Sequence, residues 1–166
     1  MPFVPAAGAE PIVVIGGKGG QNDMDFTVSD AANLVVHYSS GAYAGAAAVK
    51  QYVIGNEPAN PGNGAMTMGQ YCARVNAVAE AMRQANADIK LIGPAWPYYD
   101  LETLKQFLRC AGDKVDVIDY HAYGRSDMDI DQNIRSSAQL YEQQNKAVRA
   151  AINEIVPQRA QQIAIQ

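Results

Sequence analysis

The sequence has 166 residues, of which 48% are hydrophobic and 18% charged, a composition typical of one globular domain. The net charge of -4 and the scattering of the 13 basic residues argue against nucleic acid as a partner, because phosphate contacts need clustered Lys and Arg. No apolar run approaches the roughly 20 residues of a membrane span, so no membrane partner is expected. "MPFVPAAGAE" also lacks the basic start and long apolar segment of a secretion signal, and the sequence does not assign a compartment.

Strands and helices are predicted to alternate strictly along the chain. "PIVVIGG" (11–17) is a short apolar run stopped by glycines, which is typical of a strand buried on both faces. Thr67 and Gln70 have capping-box spacing and predict the start of a helix. The segments after the first strand are a helix over 27–41, a strand over 49–55, a helix from 67 to about 85, a strand over 89–95, a helix over 100–112, a strand over 115–124, a long polar helix over roughly 131–155, and the start of a fifth strand over 161–166.

This alternation predicts an α/β fold with a parallel sheet and right-handed crossovers. In such sheets the functional groups lie at the C-terminal ends of the strands. Polar and aromatic residues gather at four of these ends, namely Gly16–Gly20, Asn56–Glu57, Pro94–Trp96 and His121–Tyr123.

The glycine-rich stretch "VVIGGKGGQND" (13–23) does not have the pattern of a phosphate-binding loop. Lys18 is followed by Gly-Gly-Gln-Asn-Asp, whereas that loop requires a Ser or Thr directly after the Lys to hold magnesium. We therefore expect a loop bordering a cleft, with Lys18 or Asn22 close to a substrate.

The stretch "YVIGNEPAN" (52–60) carries the main candidate for catalysis. Asn56, Glu57 and Pro58 are compatible with a surface turn, but they directly follow a buried-strand pattern at the functional end of the sheet. A half-desolvated carboxyl group at that position is expected to have a raised pKa and to donate a proton near neutral pH. The Asn56 amide can hold a sugar hydroxyl.

The phrase "VIGNEP" resembles the fourth-strand signature of clan A glycoside hydrolases, which are retaining enzymes with a (β/α)8 (TIM) barrel. "YCARVNAVAEAMRQANADIKLIGPA" and "VDVIDYHAYG" resemble the following helix, fifth strand and sixth strand of family 39 and family 51 members. The resemblance covers most of 11–166. It implies a glycosidase that acts on a plant-type polysaccharide or oligosaccharide with β-glucan, xylan or arabinoside linkages, and that needs no metal or organic cofactor.

The resemblance also implies roles for individual residues. Glu57 is the expected acid/base and Asn56 the contact to the sugar 2-hydroxyl. Trp96 is expected to form a sugar-stacking wall, although a lone Trp is equally typical of a core. His121 and Tyr123 are expected to line the site near the nucleophile, with a buried structural His as the alternative reading of His121.

A retaining mechanism requires a second carboxylate, about 5–5.5 Å from the first. In the resembled families it is a Glu that closes the seventh strand, and "QQIAIQ" (161–166) is the matching stretch. If Gln166 precedes that position, the nucleophile is the next residue; if Gln166 occupies it, an amide has replaced the nucleophile. We favour the first alignment, and the 166 residues alone are then expected to be inactive.

Counted by the resemblance, residues 1–166 form one domain holding strands three to six and the start of strand seven, without strands one, two and eight. A partial barrel exposes two strand edges, so the remaining barrel segments or further copies of the chain are expected partners, besides an oligosaccharide. Secretion is expected of a polysaccharide-degrading parent enzyme. The alternatives are a non-catalytic carbohydrate-binding or scaffold protein derived from a glycosidase barrel, and a complete doubly wound five-stranded domain.

Two other residue patterns have simpler interpretations. Cys72 and Cys110 lack metal-ligand spacing and are expected to be buried free thiols, with a disulfide between neighbouring helices as the alternative. Asp127, Asp129 and Asp131 alternate as in a calcium loop but lack its Gly and terminal Glu, so we expect a solvated loop and helix cap and no metal site.

Overall fold

The computed structural model describes residues 8–16, 25–39, 48–123 and 129–166. Five strands and four α-helices alternate through these ranges, and a short 3₁₀ turn lies before the second helix and another after the last one. The elements are β1 (Ile12–Ile15), α1 (Val28–Ser39), β2 (Gln51–Ile54), a 3₁₀ turn (Pro61–Asn63), α2 (Met68–Ala85), β3 (Lys90–Trp96), α3 (Leu101–Ala111), β4 (Val117–Tyr120), α4 (Ile130–Ile155), a 3₁₀ turn (Pro157–Arg159) and β5 (Ala164–Ile165).

The five strands form one parallel sheet in the spatial order β1-β2-β3-β4-β5. Each strand therefore pairs with the next strand along the chain, as in a barrel wall. A doubly wound sheet instead reverses its strand order at a switch point, where its ligand binds. The described strands contain no such reversal, so the doubly wound alternative is wrong.

The helices start where the sequence places their caps. The Thr67 hydroxyl accepts a hydrogen bond from the Gln70 backbone N–H and the Gln70 side chain accepts one from Thr67 N–H, which completes the predicted capping box. Asp100 caps α3 in a similar way by accepting from Glu102 and Thr103. Both helices then pack their apolar sides on the sheet, where Tyr71 and Phe107 are fully buried.

The two faces of the sheet bury different amounts of apolar surface. The face under the helices carries the main core, which includes Tyr52, Ile54, Leu91 and Ile118. The opposite face carries a small second cluster of Val53, Ile92, Ala95 and Val117. Val14, Val53, Ile92 and Val117 are paired in register from strand to strand, and Val14 at the sheet edge is 51% exposed. This second face has the layered apolar side chains of a barrel interior.

The two cysteines form a disulfide, which corrects the expectation of free thiols. Cys72 on α2 and Cys110 on α3 are joined, with their Cα atoms 5.9 Å apart. Beside this bond the Asn76 side-chain amide donates to the Cys110 carbonyl at 3.0 Å. The spacing along the sequence could not distinguish free thiols from a disulfide. The bond forms only if the two helices are adjacent and each turns its cysteine toward the other.

A network of ion pairs closes the N-terminal end of the sheet. Asp116, just before β4, accepts hydrogen bonds from Arg83 Nη2 (2.7 Å), Arg159 Nη2 (2.8 Å) and the Leu91 backbone N–H (2.9 Å). Burial favours a raised pKa for Asp116, but the Leu91 N–H and the two guanidinium groups outweigh it and hold this pKa below its ordinary value. The network links α2, β3, β4 and the segment before β5.

Candidate functional site

Glu57 lies at the C-terminal edge of the sheet, where the chain leaves β2 through an unusual backbone turn. Gly55 has φ 80 and Glu57 has φ 45, so a non-glycine residue occupies the left-handed region at the position of the predicted acid/base. The Glu57 N–H donates to the Ala95 carbonyl at 2.9 Å, which fixes this turn against the end of β3. Strained backbone of this kind persists only where surrounding contacts enforce it, and it is common at functional sites.

Three side chains hold the Glu57 carboxylate. His121 Nδ1 lies 2.6 Å and the Tyr123 hydroxyl 2.5 Å from Oε1, and Asn60 Nδ2 lies 2.5 Å from Oε2. The Glu57 side chain is 15% exposed and that of His121 26%. The His121 backbone N–H donates to the Trp96 carbonyl at 2.8 Å, so the chain after β4 is anchored beside the end of β3. The structure thus brings together Glu57, His121 and Tyr123, as expected from their strand ends.

The pKa of Glu57 departs from its ordinary value in the direction opposite to the one expected. Hydrogen bonds from Tyr123 and His121 stabilise the carboxylate and lower its pKa, and they outweigh the partial burial that raises it. The expectation of a raised pKa was therefore wrong for the described residues. It rested on burial alone, whereas the donors come from residues more than 60 positions away in the sequence.

Asn56 and Asn60 belong to the tight loop that follows β2. Asn63 Nδ2 donates to the Asn56 carbonyl at 3.0 Å, and the Asn60 N–H donates to the Glu57 carbonyl at 2.9 Å. Asn56 contributes its backbone carbonyl to this network, and the contact of its side chain to a sugar hydroxyl stays a prediction. Asn60 was missed from the sequence; its position three residues after Glu57, inside a turn-forming Asn-Pro-Gly-Asn run, was the available signal.

Trp96 lies in the helix-facing core. It is 4% exposed and packs edge-on against Tyr71, with ring centroids 6.3 Å apart. Strict alternation from Ile92 would turn Trp96 toward the opposite face, but Ala95 has φ 51 and the β3–β4 register shifts between Pro94 and Trp96. The indole therefore presents no open face to a sugar in this structure, and the predicted stacking wall is not supported.

Asp119 is a further carboxylate that sequence reasoning did not select. Side chains alternate between the two faces along β4, so Asp119 points to the same face as Val117. Val117 belongs to the second cluster, on the face opposite the helices, which we call the inner face. Burial raises the pKa of Asp119, partly opposed by His121. The available signal was a charged residue in the middle of "VDVIDYHAYG" that alternation places on the same face as His121.

Three further findings concern the described ranges alone. There, no group of three or more His, Cys, Asp and Glu side chains is arranged to hold a metal ion. No helix in the same ranges is both long and apolar enough to cross a bilayer. Asp129 caps α4 by accepting from the Gln132 N–H, as expected. Lys18, Asn22 and Asp127 lie outside the described residues.

Solved structures with a similar fold include several glycosidases. The α-L-arabinofuranosidase of Thermotoga maritima, in its arabinose complex, has a TM-score of 0.77 and 23% identity, over 98% of this chain and 34% of that one. The family 51 arabinofuranosidase of Xanthomonas axonopodis pv. citri has a TM-score of 0.74 and 15% identity, over 98% and 36%. A monomeric β-xylosidase from Caulobacter crescentus has a TM-score of 0.61 and 16% identity, over 91% and 36%.

The sequence matches no family model and no curated protein. The chain spans about a third of the length of the structures above, and identities of this size establish the fold alone. Family 51 enzymes are among these neighbours, whereas the resemblance to family 39 stays a prediction. The sequential parallel strands and these neighbours together confirm the predicted fold class: the chain has the α/β fold of part of a (β/α)8 barrel.

Proposed function

We propose that this chain carries the acid/base half of a retaining glycoside hydrolase site, with Glu57 as the proton donor. The observation that carries the proposal is the Glu57 carboxylate at the C-terminal edge of a barrel-type sheet, with His121 and Tyr123 on one of its oxygens. That edge is where barrel enzymes place their catalytic groups. Glu57 would protonate the leaving oxygen and then deprotonate the incoming water.

The lowered pKa of Glu57 is consistent with this role once the second carboxylate is considered. An acid must hold its proton near working pH, and the described partners by themselves favour the ionised form. A nucleophilic carboxylate about 5–5.5 Å away adds a like charge, which raises the pKa of its neighbour. The pKa of Glu57 is thus expected to rise when the second carboxylate is present and to fall when that carboxylate becomes esterified by the sugar.

The nucleophile we propose is a Glu directly after Gln166. The Gln166 N–H donates to the Ile118 carbonyl at 2.9 Å, and Ile165 pairs with Ile118. The next residue is therefore level with Tyr120, one position before His121, which contacts Glu57. This register supports a nucleophile at the same end of the sheet as the proton donor.

The substrate class we propose is a pentose glycoside of plant-type polysaccharides, with Asn56 at the sugar 2-hydroxyl. Support comes from the structural neighbours, which include two arabinofuranosidases and a β-xylosidase. No cofactor is needed, because two carboxylates suffice for the reaction.

A non-catalytic carbohydrate-binding protein is the second candidate, and one observation favours it. Ala164 pairs with Val117 of the inner-face cluster, so alternation along β5 places Gln166 on the inner face as well. If Gln166 itself stands where the nucleophile belongs, its amide cannot attack a sugar. A protein of this kind would bind oligosaccharides without cleaving them.

The test uses a gene product that includes the remaining barrel and compares Glu57→Gln with the unaltered protein. Aryl arabinofuranosides and xylosides with good and poor leaving groups are the substrates. We expect Glu57→Gln to lose roughly 10²–10⁴-fold in kcat/KM on poor leaving groups, with a far smaller loss on activated ones that need no proton. The control is Glu102→Gln, which changes an exposed glutamate on α3. Unchanged hydrolysis of poor leaving groups by Glu57→Gln would refute the acid role, and oligosaccharide binding without turnover would establish the second candidate.

A further inference from the structure

Asn60 differs chemically from the other two partners of the Glu57 carboxylate. The Tyr123 hydroxyl and a neutral His121 ring nitrogen can each either donate or accept a hydrogen bond, whereas an amide NH₂ can only donate. Both adaptable groups lie on Oε1, and the fixed donor lies on Oε2 at 2.5 Å. With the amide reversed, Asn60 Oδ1 and Glu57 Oε2 would be two acceptors in close contact, so the nitrogen is the group that faces the carboxylate.

The position of Asn60 is set by the backbone of its own loop. Its N–H donates to the Glu57 carbonyl, and its carbonyl accepts from the N–H groups of Asn63 (2.9 Å) and Ala65 (3.0 Å). Three backbone hydrogen bonds therefore fix Asn60 in the loop, and its side-chain amide contacts the Glu57 carboxylate from there. A neighbouring amide in the same loop, Asn63 Nδ2, contacts the Asn56 carbonyl and not the carboxylate.

We propose that Asn60 is a positioning residue that keeps Glu57 Oε2 as a permanent acceptor and so places the exchangeable proton of Glu57 on Oε1. The catalytic meaning of this assignment rests on the proposed function. In the neutral acid, Oε1–H donates to one of these two groups, His121 Nδ1 or the Tyr123 hydroxyl, which then acts as an acceptor. The glycosidic oxygen must then approach Glu57 from the side of those two residues, where the proton passes from Oε1 to the leaving oxygen.

The groups that influence this proton come from three segments of the described chain. Asn60 belongs to the loop after β2, His121 and Tyr123 follow β4, and Asp119 on β4 interacts electrostatically with His121. Removing the Asn60 donor leaves the charged form of Glu57 with one hydrogen bond fewer. The pKa of Glu57 should therefore rise in Asn60→Ala by on the order of one pH unit.

The experiment is an NMR titration of the 166-residue chain labelled with ¹³C at the glutamate carboxyls and ¹⁵N at the side-chain amides. We expect Asn60→Ala to raise the Glu57 midpoint and Asn60→Asp to raise it further, in a two-step titration shared by the two carboxyls. In the unaltered chain, the Asn60 amide resonances should keep their hydrogen-bonded shifts while Glu57 becomes protonated. The matched control, Asn63→Ala, removes an amide of the same loop and should leave the Glu57 midpoint in place.

The proposal is overturned if Asn60→Ala leaves the Glu57 midpoint unchanged, or if Asn63→Ala shifts it equally, because the effect would then belong to the loop as a whole. It is also overturned if the Asn60 amide signals move to free-amide shifts as Glu57 takes up its proton, which would place that proton on Oε2. The titration requires no turnover. A failure of the glycosidase assignment would appear only in the Glu57→Gln kinetics and would leave these shifts unaffected.

Discussion

The two ends of the sheet each hold a partly buried carboxylate in a network of donors, and the two networks differ in their chemistry. At the N-terminal end, Asp116 faces two guanidinium groups, from Arg83 and Arg159. At the C-terminal end, Glu57 faces an amide, a phenol and an imidazole. Both carboxyl pKa values are lowered, yet only the first set of partners carries a permanent charge.

This difference distinguishes a carboxylate that is held ionised from one that can exchange a proton. Protonating Asp116 would leave Arg83 and Arg159 facing a neutral group at 2.7 and 2.8 Å, which is costly. Protonating Glu57 requires only that one of its Oε1 partners, His121 or Tyr123, accept a hydrogen bond instead of donating one. A lowered pKa alone therefore does not identify the role of a carboxyl group. The two roles differ in whether the partners of the carboxyl group can accept a hydrogen bond as well as donate one.

Removing the disulfide between α2 and α3 is expected to have the largest effect on stability. It tests whether the hydrogen bonds around Glu57 depend on the helix layer. Replacing Cys72 and Cys110 by Ala opens a cross-link between residues 38 positions apart. The chain-entropy relation gives a loss of about 4 kcal/mol in the free energy of unfolding. The Glu57 titration midpoint should stay in place, because its partners lie on the strand ends and the loop after β2. Denaturant unfolding and the NMR titration measure the two quantities.

A reductant provides the control for that measurement. It should destabilise the unaltered chain to the level of the double variant and leave the double variant unaffected. An intact mass corresponding to two free thiols, together with insensitivity to reductant, would show that the disulfide does not form.

Asp116→Asn tests the N-terminal network and is expected to have a smaller effect. The variant loses the negative charge between the two guanidinium groups, and we expect a loss on the order of 2 kcal/mol in the free energy of unfolding at neutral pH. Since the folded-state pKa of Asp116 is lowered, its stabilisation is complete above the unfolded value near ~3.9 and is lost as the pH falls through the folded value. The gap between variant and unaltered chain should therefore close in acid.

The matched control for this comparison is Asp113→Asn. Asp113 pairs with Lys114 at 2.9 Å, but its side chain is 52% exposed, so the change should be within about 0.5 kcal/mol. Equal losses from Asp113→Asn and Asp116→Asn would show that the burial of the Asp116 network is not what makes it stabilising.

Tyr123→Phe is expected to have the smallest effect on stability and a clear effect on titration. Tyr123 is 72% exposed, so its removal should not shift the unfolding midpoint measurably. Its hydroxyl is the leading cause of the lowered Glu57 pKa, so the variant should raise that pKa. A ¹³C titration of the Glu57 carboxyl measures the shift, and an unmoved midpoint would assign the lowered pKa to His121 and Asn60 without Tyr123.

The order of elements and the position of Glu57 could be predicted because both depend on local patterns. Runs of apolar residues ending in glycine or polar residues predicted the strands, and parallel strands place Glu57, His121 and Tyr123 at one edge. The capping box at Thr67 was equally local.

The remaining features depend on contacts between distant segments or on local irregularities. The sign of the Glu57 pKa shift is set by donors 64 and 66 residues away. Trp96 faces the helices because the positive φ of Ala95 interrupts the alternation of side chains along β3. The residue types in this strand do not predict that interruption. The pairing of Cys72 with Cys110 depends on how two helices are rotated against each other.

The positive φ of Glu57 has a consequence for how this chain tolerates mutation. A non-glycine residue in the left-handed region costs on the order of 1 kcal/mol or more, and glycine at the same place would avoid that cost. Glycine would thus relieve the backbone strain but remove the carboxylate at position 57. Backbone strain and the acid/base role proposed for Glu57 therefore make opposite demands on this position.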